Sequence, residues 1–388
     1  MFLEQPIACY SVAALLTGYI MAPHLGRMAA RMLGLTEPQP PLQATLGRGG
    51  RVEEDIRLLH PTAGTYPRLC RLSDQSILCG FTHIEAGQHV LSISRSIDNG
   101  SSFAPWGEVA RSPGDCDNLF LLPVPHQPER VLAAFRNHDQ DHQNRPIHFR
   151  ITVCESSDGG RTWTFSSQAA EKSAPLGLWE PFMRVGRQGQ VQLYYSQELA
   201  HDDQDTMVVT SYDRGTTWSA PRCVTGMGLK LRDGMTGVAS TFDNGQEAMV
   251  MVFETTRHRT FSIECVISYD DGETWGYRQV VYCPKNTRNA GAPQIESFAD
   301  GSLAVVFMSD EDSHSQDWPR HASIKVVFAG PPAKGHISWC NDQVVHGPTC
   351  AWPGIMRIHD YSSLAAFEHN GAIRGRMLTW GDAAHNSR

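Results

Sequence analysis

The sequence predicts an all-β protein, a six-bladed β-propeller whose ring is closed by pairing the two ends of the domain. Three observations carry that prediction. A turn motif recurs at near-constant spacing, a two-strand pattern is repeated six times, and helical periodicity is confined to roughly residues 23–35. Apolar residues make up 41% and charged residues 19%, which supplies a core and excludes a disordered chain.

The turn motif is Ser-x-Asp-x-Gly-x-Thr/Ser-aromatic. It occurs as Ser96–Phe103, Ser156–Trp163, Ser211–Trp218 and Ser268–Trp275, with the Asp residues spaced by 60, 55 and 57 positions. Its physics is that of a tight hairpin. The Asp carboxylate accepts backbone N–H bonds inside the turn, Gly takes the left-handed position, and the aromatic ring packs the turn onto its blade. The motif therefore reads as scaffold. If its Trp is buried, truncation to Ala is expected to cost about 3–5 kcal/mol.

The six strand–turn–strand units begin near Thr65, Asp117, Trp179, Met235, Gly291 and Ala351. Each second strand is rich in β-branched and aromatic residues, and each turn carries Asp, Gly, Pro or Ser. Residues 46–388 give about 57 residues per unit, matching the motif spacing and a four-stranded blade. The fifth unit lacks the turn motif. The last unit ends near Leu378 without outer strands of its own, so residues 46–60 are expected to supply the missing strand and remove the open edges.

Residues 1–45 read as an N-terminal extension or an atypical leader. The stretch Ser11–Ala22 is too short to span a membrane, and Glu4 with no Lys or Arg before it is wrong for an ordinary signal peptide. The ten Cys form no C-x-x-C pair. They suit disulfides or buried thiols, and Cys70 with Cys79, flanking one hairpin, is the first pair to test. Thirty-three Lys and Arg against 41 Asp and Glu, with no basic run, exclude a phosphate-tracking nucleic-acid binder and suit a neutral polysaccharide.

In a propeller, polar side chains converge where inner strands start and second strands end. The inner-strand positions are Arg68, Asp117/Asn118, Glu180, Thr236, Pro293 and Pro353, and the second-strand positions are Thr82, Arg136, Ser196, Glu254, Met308 and Glu368. Two carboxylates across a channel are the minimum for glycoside hydrolysis. Glu180, in Leu178-Trp179-Glu180-Pro181-Phe182, and Glu254, ending an apolar strand, are the chosen pair, with Glu368 the main rival. Trp179 and Trp352 are candidate sugar platforms. Arg68, Arg136, Asp117 and Asn118 are candidate partners for sugar hydroxyls. The cluster His138-Asp139-Gln140-Asp141-His142 matches no ligand spacing, and neither a metal nor another cofactor is called for.

The four turns resemble the Asp boxes of sialidases. A fuller resemblance is to glycoside hydrolase family 93, the fungal exo-α-1,5-L-arabinanases. It rests on Tyr66-Pro67-Arg68-Leu69, Ala134–Asp139, Arg150–Cys154, Trp179–Phe182, Met235-Thr236-Gly237 and Val252-Phe253-Glu254, and covers roughly residues 46–380. The resemblance implies a sialidase-type propeller that releases arabinobiose from the non-reducing end of linear arabinan, with retention of configuration. It implies Glu180 as nucleophile and Glu254 as acid/base, a secreted monomer, and the arabinan side chains of pectin as substrate. Two alternatives stay open. An exo-sialidase would need three arginines converging on one point, and a non-catalytic sugar-binding propeller would keep the fold without the chemistry.

Overall fold

The computed structural model describes residues 49–125, 129–314 and 316–381. The extension 1–45, with its apolar and helix-periodic stretches, lies outside them. The described chain is built from 24 strands in six four-stranded antiparallel sheets. Blade 1 is β2 (Thr65–Arg71), β3 (Ile77–Glu85), β4 (Gln88–Ser96) and β5 (Ala104–Ser112). Blade 2 is β6 (Asp115–Val124), β7 (Arg130–Gln140), β8 (Pro146–Ser156) and β9 (Thr164–Ser173). Blade 3 is β10 (Leu178–Val185), β11 (Val191–Ala200), β12 (Asp203–Ser211) and the short β13 (Arg222–Thr225). Blade 4 is β14 (Gly234–Asp243), β15 (Gln246–His258), β16 (Thr260–Ser268) and β17 (Gly276–Tyr282). Blade 5 is β18 (Ala290–Ser297), β19 (Leu303–Ser309), β20 (Ser323–Ala329) and β21 (Trp339–His346).

Blade 6 closes the ring. Its strands β22 (Cys350–His359), β23 (Ser362–His369) and β24 (Ala372–Gly381) are completed by β1 (Gly49–His60), which pairs with β24 from Gly49↔Gly381 to His60↔Ile373. The closing strand is thus the expected one. The expectation that the last unit has no outer strands of its own is corrected: β24 belongs to it, and only the fourth strand comes from the other end.

The second strands are buried on both faces, which is why they read as unbroken apolar runs. Ala248–Phe253 of β15 and Leu303–Met308 of β19 are each almost wholly inaccessible. Each of six apolar clusters fills one blade–blade boundary. Between blades 3 and 4, for example, Phe182, Tyr194 and Val208 meet Met251, Phe253 and Val266. The ring is held by these boundaries, so no blade has a core of its own.

The nine described cysteines are free thiols. Cys70 pairs in register with Leu78, which leaves Cys79 opposite Leu69. A one-residue offset points the two side chains to opposite faces of the blade, Cys70 toward blade 2 and Cys79 toward blade 6. The suggested Cys70–Cys79 pair is therefore not formed.

All four Ser-x-Asp turns are hairpin loops joining the third and fourth strands of blades 1 to 4. At the third, the Asp213 carboxylate accepts from Ser211 Oγ (2.8 Å), Thr217 N (2.8 Å), Thr217 Oγ1 (2.6 Å) and Thr216 N (3.1 Å). Gly215 takes φ +87°. The box tryptophans are half-buried, and their indole N–H groups donate to Gly160 O, Ser167 Oγ and Gly272 O. Blade 5 lacks the turn, and a neighbour's carboxylate caps its loop. Asp243 of blade 4 accepts Lys334 N (2.7 Å) and Gly335 N (2.6 Å) from the corresponding loop.

Candidate active site

The site lies at the end of the blades opposite the Ser-x-Asp turns, and a repeated backbone device builds it. Near its start, every innermost strand breaks register: between Thr65 and Arg68, Asp117 and Phe120, Trp179 and Phe182, Gly234 and Gly237, Gly291 and Gln294, and Ala351 and Gly354. At each break a non-glycine residue takes positive φ: Tyr66 (54°), Asn118 (57°), Glu180 (44°), Met235 (50°), Ala292 (51°) and Trp352 (54°). Such a bulge re-aims the side chain of a strand that has no neighbour on its channel side. In four of the six the next residue is proline, which has no N–H to give to a ladder.

The residue just before each bulge pairs with the expected end of the second strand: Thr65↔Thr82, Asp117↔Arg136, Trp179↔Ser196, Gly234↔Glu254, Gly291↔Met308 and Ala351↔Glu368. These second-strand residues then reach the next blade around the ring. Thr82 Oγ1 donates to Asp117 (2.6 Å), Ser196 Oγ accepts Met235 N (3.0 Å), and Glu254 Oε2 accepts Ala292 N (2.8 Å). Thr65 Oγ1 donates to Glu368 across the closing boundary.

Glu180 and Glu254 come together at adjoining blades. Burial pushes both carboxyls up, Glu180 to about 8 and Glu254 to about 7. The charge of Glu254 adds to the rise at Glu180, while Arg136, the Ser196 hydroxyl and Arg232 oppose it. At Glu254 the Ala292 amide and Arg232 oppose it. Glu180, raised by burial and by a second carboxyl, keeps its proton to higher pH than Glu254. Gly291 leaves room beside them: a Cβ there would lie 2.4 Å from Glu254 Oε2 and 3.1 Å from the Trp318 ring, so the Glu254 carboxylate would have to shift.

Glu368, the rival, is bound by Thr65, and burial raises it too, with Asp117 adding. Arg136 is held by Asp115 (3.0 Å), Asn118 (2.9 Å) and Asp117 (3.4 Å), with its guanidinium 5.2 Å from the Trp179 ring centre. Asp117 and Asn118 thus aim Arg136 toward the pair. Arg68 is 3% exposed, lies 3.9 Å over the Tyr66 ring, and gives Nη1 to the carbonyls of Pro67, Trp352 and Pro353, while its buried Nη2 has no partner. Trp179 sits edge-on to His138 at 5.0 Å. Trp352 continues an aromatic wall from Tyr66 (6.1 Å) to Trp318 (6.3 Å) and Phe261. The groups of the 138–142 cluster go separate ways: His138 to Leu178 O, Asp139 to Arg150 and Asp141 to Arg145.

Sequence reasoning missed Tyr66, Asp115, Arg232 and Trp318. Tyr66 is the bulge residue of blade 1, two positions before Arg68, and the X-Pro step shared with Glu180-Pro181 and Trp352-Pro353 would have found it. Arg232 is fixed by Glu198 (3.0 Å) and Gln204 (2.8 Å) and Trp318 sits in the long 310–322 connection; neither carries a repeat signal.

No sequence-family model and no curated protein sequence matches the chain. Solved structures do. An α-L-arabinofuranosidase of Fusarium graminearum bound to an iminosugar inhibitor superposes with a TM-score of 0.66 at 17% identity, covering 84% of this chain and 98% of that one. A protein of unknown function from Dyadobacter fermentans gives 0.63 at 14% identity, over 85% and 99%. The α-L-arabinanase of Penicillium chrysogenum with arabinobiose gives 0.61 at 16% identity, over 85% and 98%. The chain has the six-bladed β-propeller fold of these proteins over nearly their whole length.

Proposed function

We propose that the protein is a retaining exo-glycoside hydrolase acting on linear α-1,5-L-arabinan and releasing arabinobiose. One observation carries the reading: Glu180 and Glu254 meet at adjoining blades at the channel mouth, where burial raises both carboxyls and the charge of Glu254 raises Glu180 further. In the proposed cycle Glu254 gives its proton to the leaving glycosidic oxygen, and Glu180 attacks the anomeric carbon to form a glycosyl ester. Glu254, now anionic, then takes a proton from the water that opens that ester. The order of the two roles follows the resemblance. Burial raises Glu180 to about 8, above Glu254 at about 7, which by itself favours the proton on Glu180, while Arg136, the Ser196 hydroxyl and Arg232 favour its anion. The Trp352–Trp318 wall offers a sugar platform. The reading includes a secreted protein that works as a monomer on pectin side chains.

The arginines weigh against the sialidase alternative. Arg136 is committed to Asp115, Asp117 and Asn118, and Arg232 to Glu198 and Gln204, while Arg68 gives one nitrogen, Nη1, to three carbonyls. The test is incubation with linear α-1,5-arabinan and, separately, with a sialoside. Arabinobiose as sole product is expected. Free sialic acid, or no release from either substrate, would overturn the reading.

A further inference from the structure

Beside the mouth, at the boundary of blades 5 and 6, three side chains converge that the hydrolytic reading does not use. His346 ends β21, Cys350 begins β22 and His369 ends β23. Their ligand atoms all lie within 4.8 Å of one another. Cys350 Sγ is 3.3 Å from His346 Nδ1, and the two imidazole centres are 4.2 Å apart. Zinc bonds of about 2.3 Å to sulfur and 2.0–2.1 Å to nitrogen, at tetrahedral angles, put ligand atoms about 3.5 Å apart. The observed spacing is already close to that.

Two further observations point to a ligand. His369 Nδ1 is buried without a hydrogen-bond partner, while its other ring nitrogen lies 3.1 Å from the Asn370 amide nitrogen, a donor; turning that amide about would let its oxygen accept from the ring instead, the outer contact that fixes a ligating ring. The fully buried Phe367 backs the cluster, with its ring 5.2 Å from His346. The charges facing it are Glu368, which favours a cation, and Arg374, which opposes one and favours a thiolate.

We propose that His346, Cys350 and His369 form a site for one zinc-class divalent ion, held by two imidazoles and a thiolate with a fourth position open. On binding, the Cys350 S–H, which donates to Gly347 O (3.1 Å) in the ion-free site, gives its proton to solvent and the sulfur takes the metal in its place. The ion clips the outer strand of blade 5 to the first two strands of blade 6, one residue from the mouth position Glu368.

Cobalt tests this directly. The full-length protein, stripped with chelator, is titrated with Co²⁺ and followed by absorption. One equivalent should bring up a thiolate-to-cobalt charge-transfer band with tetrahedral d–d bands, and Zn²⁺ should displace both and raise the melting temperature. Cys350→Ser should lose the charge-transfer band, Cys283→Ser should keep it, and His369→Gln should weaken Co²⁺ binding roughly ten-fold or more. Absence of a thiolate band in the unmutated protein, or its persistence in Cys350→Ser, overturns the proposal. The first of these decides the matter even if a variant misfolds. Neither depends on the arabinan assay.

Discussion

Two sets of carboxylates at opposite ends of the blades, the Asp of the turns and the Glu pair of the mouth, are treated in opposite ways. At the turn end, Asp98 is held down to about 2 by the Ser102 hydroxyl and amide and by Ser96. Asp213 is held down to about 2 by the matching groups of Thr217 and Ser211. At Asp158 slight burial pulls the other way, but Thr162 and Ser156 win, again to about 2. At the mouth end, Glu254 has one amide donor and Glu180 faces a second carboxyl, and burial raises both. Donor-saturated carboxylates stay ionised and fix the backbone. Donor-poor ones keep a proton near neutrality and can transfer it. Donors, not the end of the blade, divide the two sets: at the mouth burial pulls Asp115 up, but His138 and Arg136 win and hold it down to about 2.

The largest expected effect breaks the mouth end. Glu180→Gln and Glu254→Gln should each lower kcat on arabinan by at least ~10²–10⁴, read as arabinobiose release, while circular dichroism stays unchanged. Glu254→Gln should still cleave an aryl arabinoside through the first step, with azide restoring turnover. Azide rescue of Glu180→Gln instead would exchange the two roles.

Gly291→Ala sharpens the same point without touching a carboxylate. Its Cβ takes the space of Glu254 Oε2, so a loss of about 10² in kcat is expected from displacement alone, with little change in melting temperature. Unchanged turnover would mean that Glu254 is not held where the chemistry needs it.

At the turn end the expected losses are in stability. The box tryptophans are only half-buried, so Trp218→Ala should cost about 2–3 kcal/mol in denaturant unfolding, less than full burial would give. Turnover per folded molecule should be unaffected.

The unequal legibility of the two ends has a physical cause. The turns are local: Ser, Asp and Gly make their bonds within eight residues, so the motif is complete in the sequence, and its spacing gives the blade count. The second-strand residues from Thr82 to Glu368 were also placed in correct register, because each ends an apolar run. The inner strands were harder to align. Their bulges insert one residue, and the bulge position is Tyr66 where Arg68 is expected, and Met235, Ala292 and Trp352 where Thr236, Pro293 and Pro353 are, while Asn118 and Glu180 stand as expected. Blade-to-blade contacts such as Glu254 with Ala292, and loop residues such as Trp318 and Arg232, come from distant stretches and leave no local pattern.

The opposite treatment of the two ends has a signed consequence for stability, and paired melting curves measure it. Glu254 is raised in the fold, so its stabilising protonation is present at the ordinary glutamate range of about 4.3 and is lost as pH rises toward about 7. Asp213 is depressed, so its contribution is present above about 3.9 and is lost as pH falls toward about 2. Melting temperatures of Glu254→Gln and Asp213→Asn, each against the unmutated protein from pH about 3 to about 8, should therefore diverge. Glu254→Gln should gain stability increasingly as pH rises. Asp213→Asn should be less stable at neutral pH and approach the unmutated protein in acid. A Glu254→Gln variant that is destabilised, with no dependence on pH, would contradict the claim that the mouth carboxyls are held protonated for chemistry.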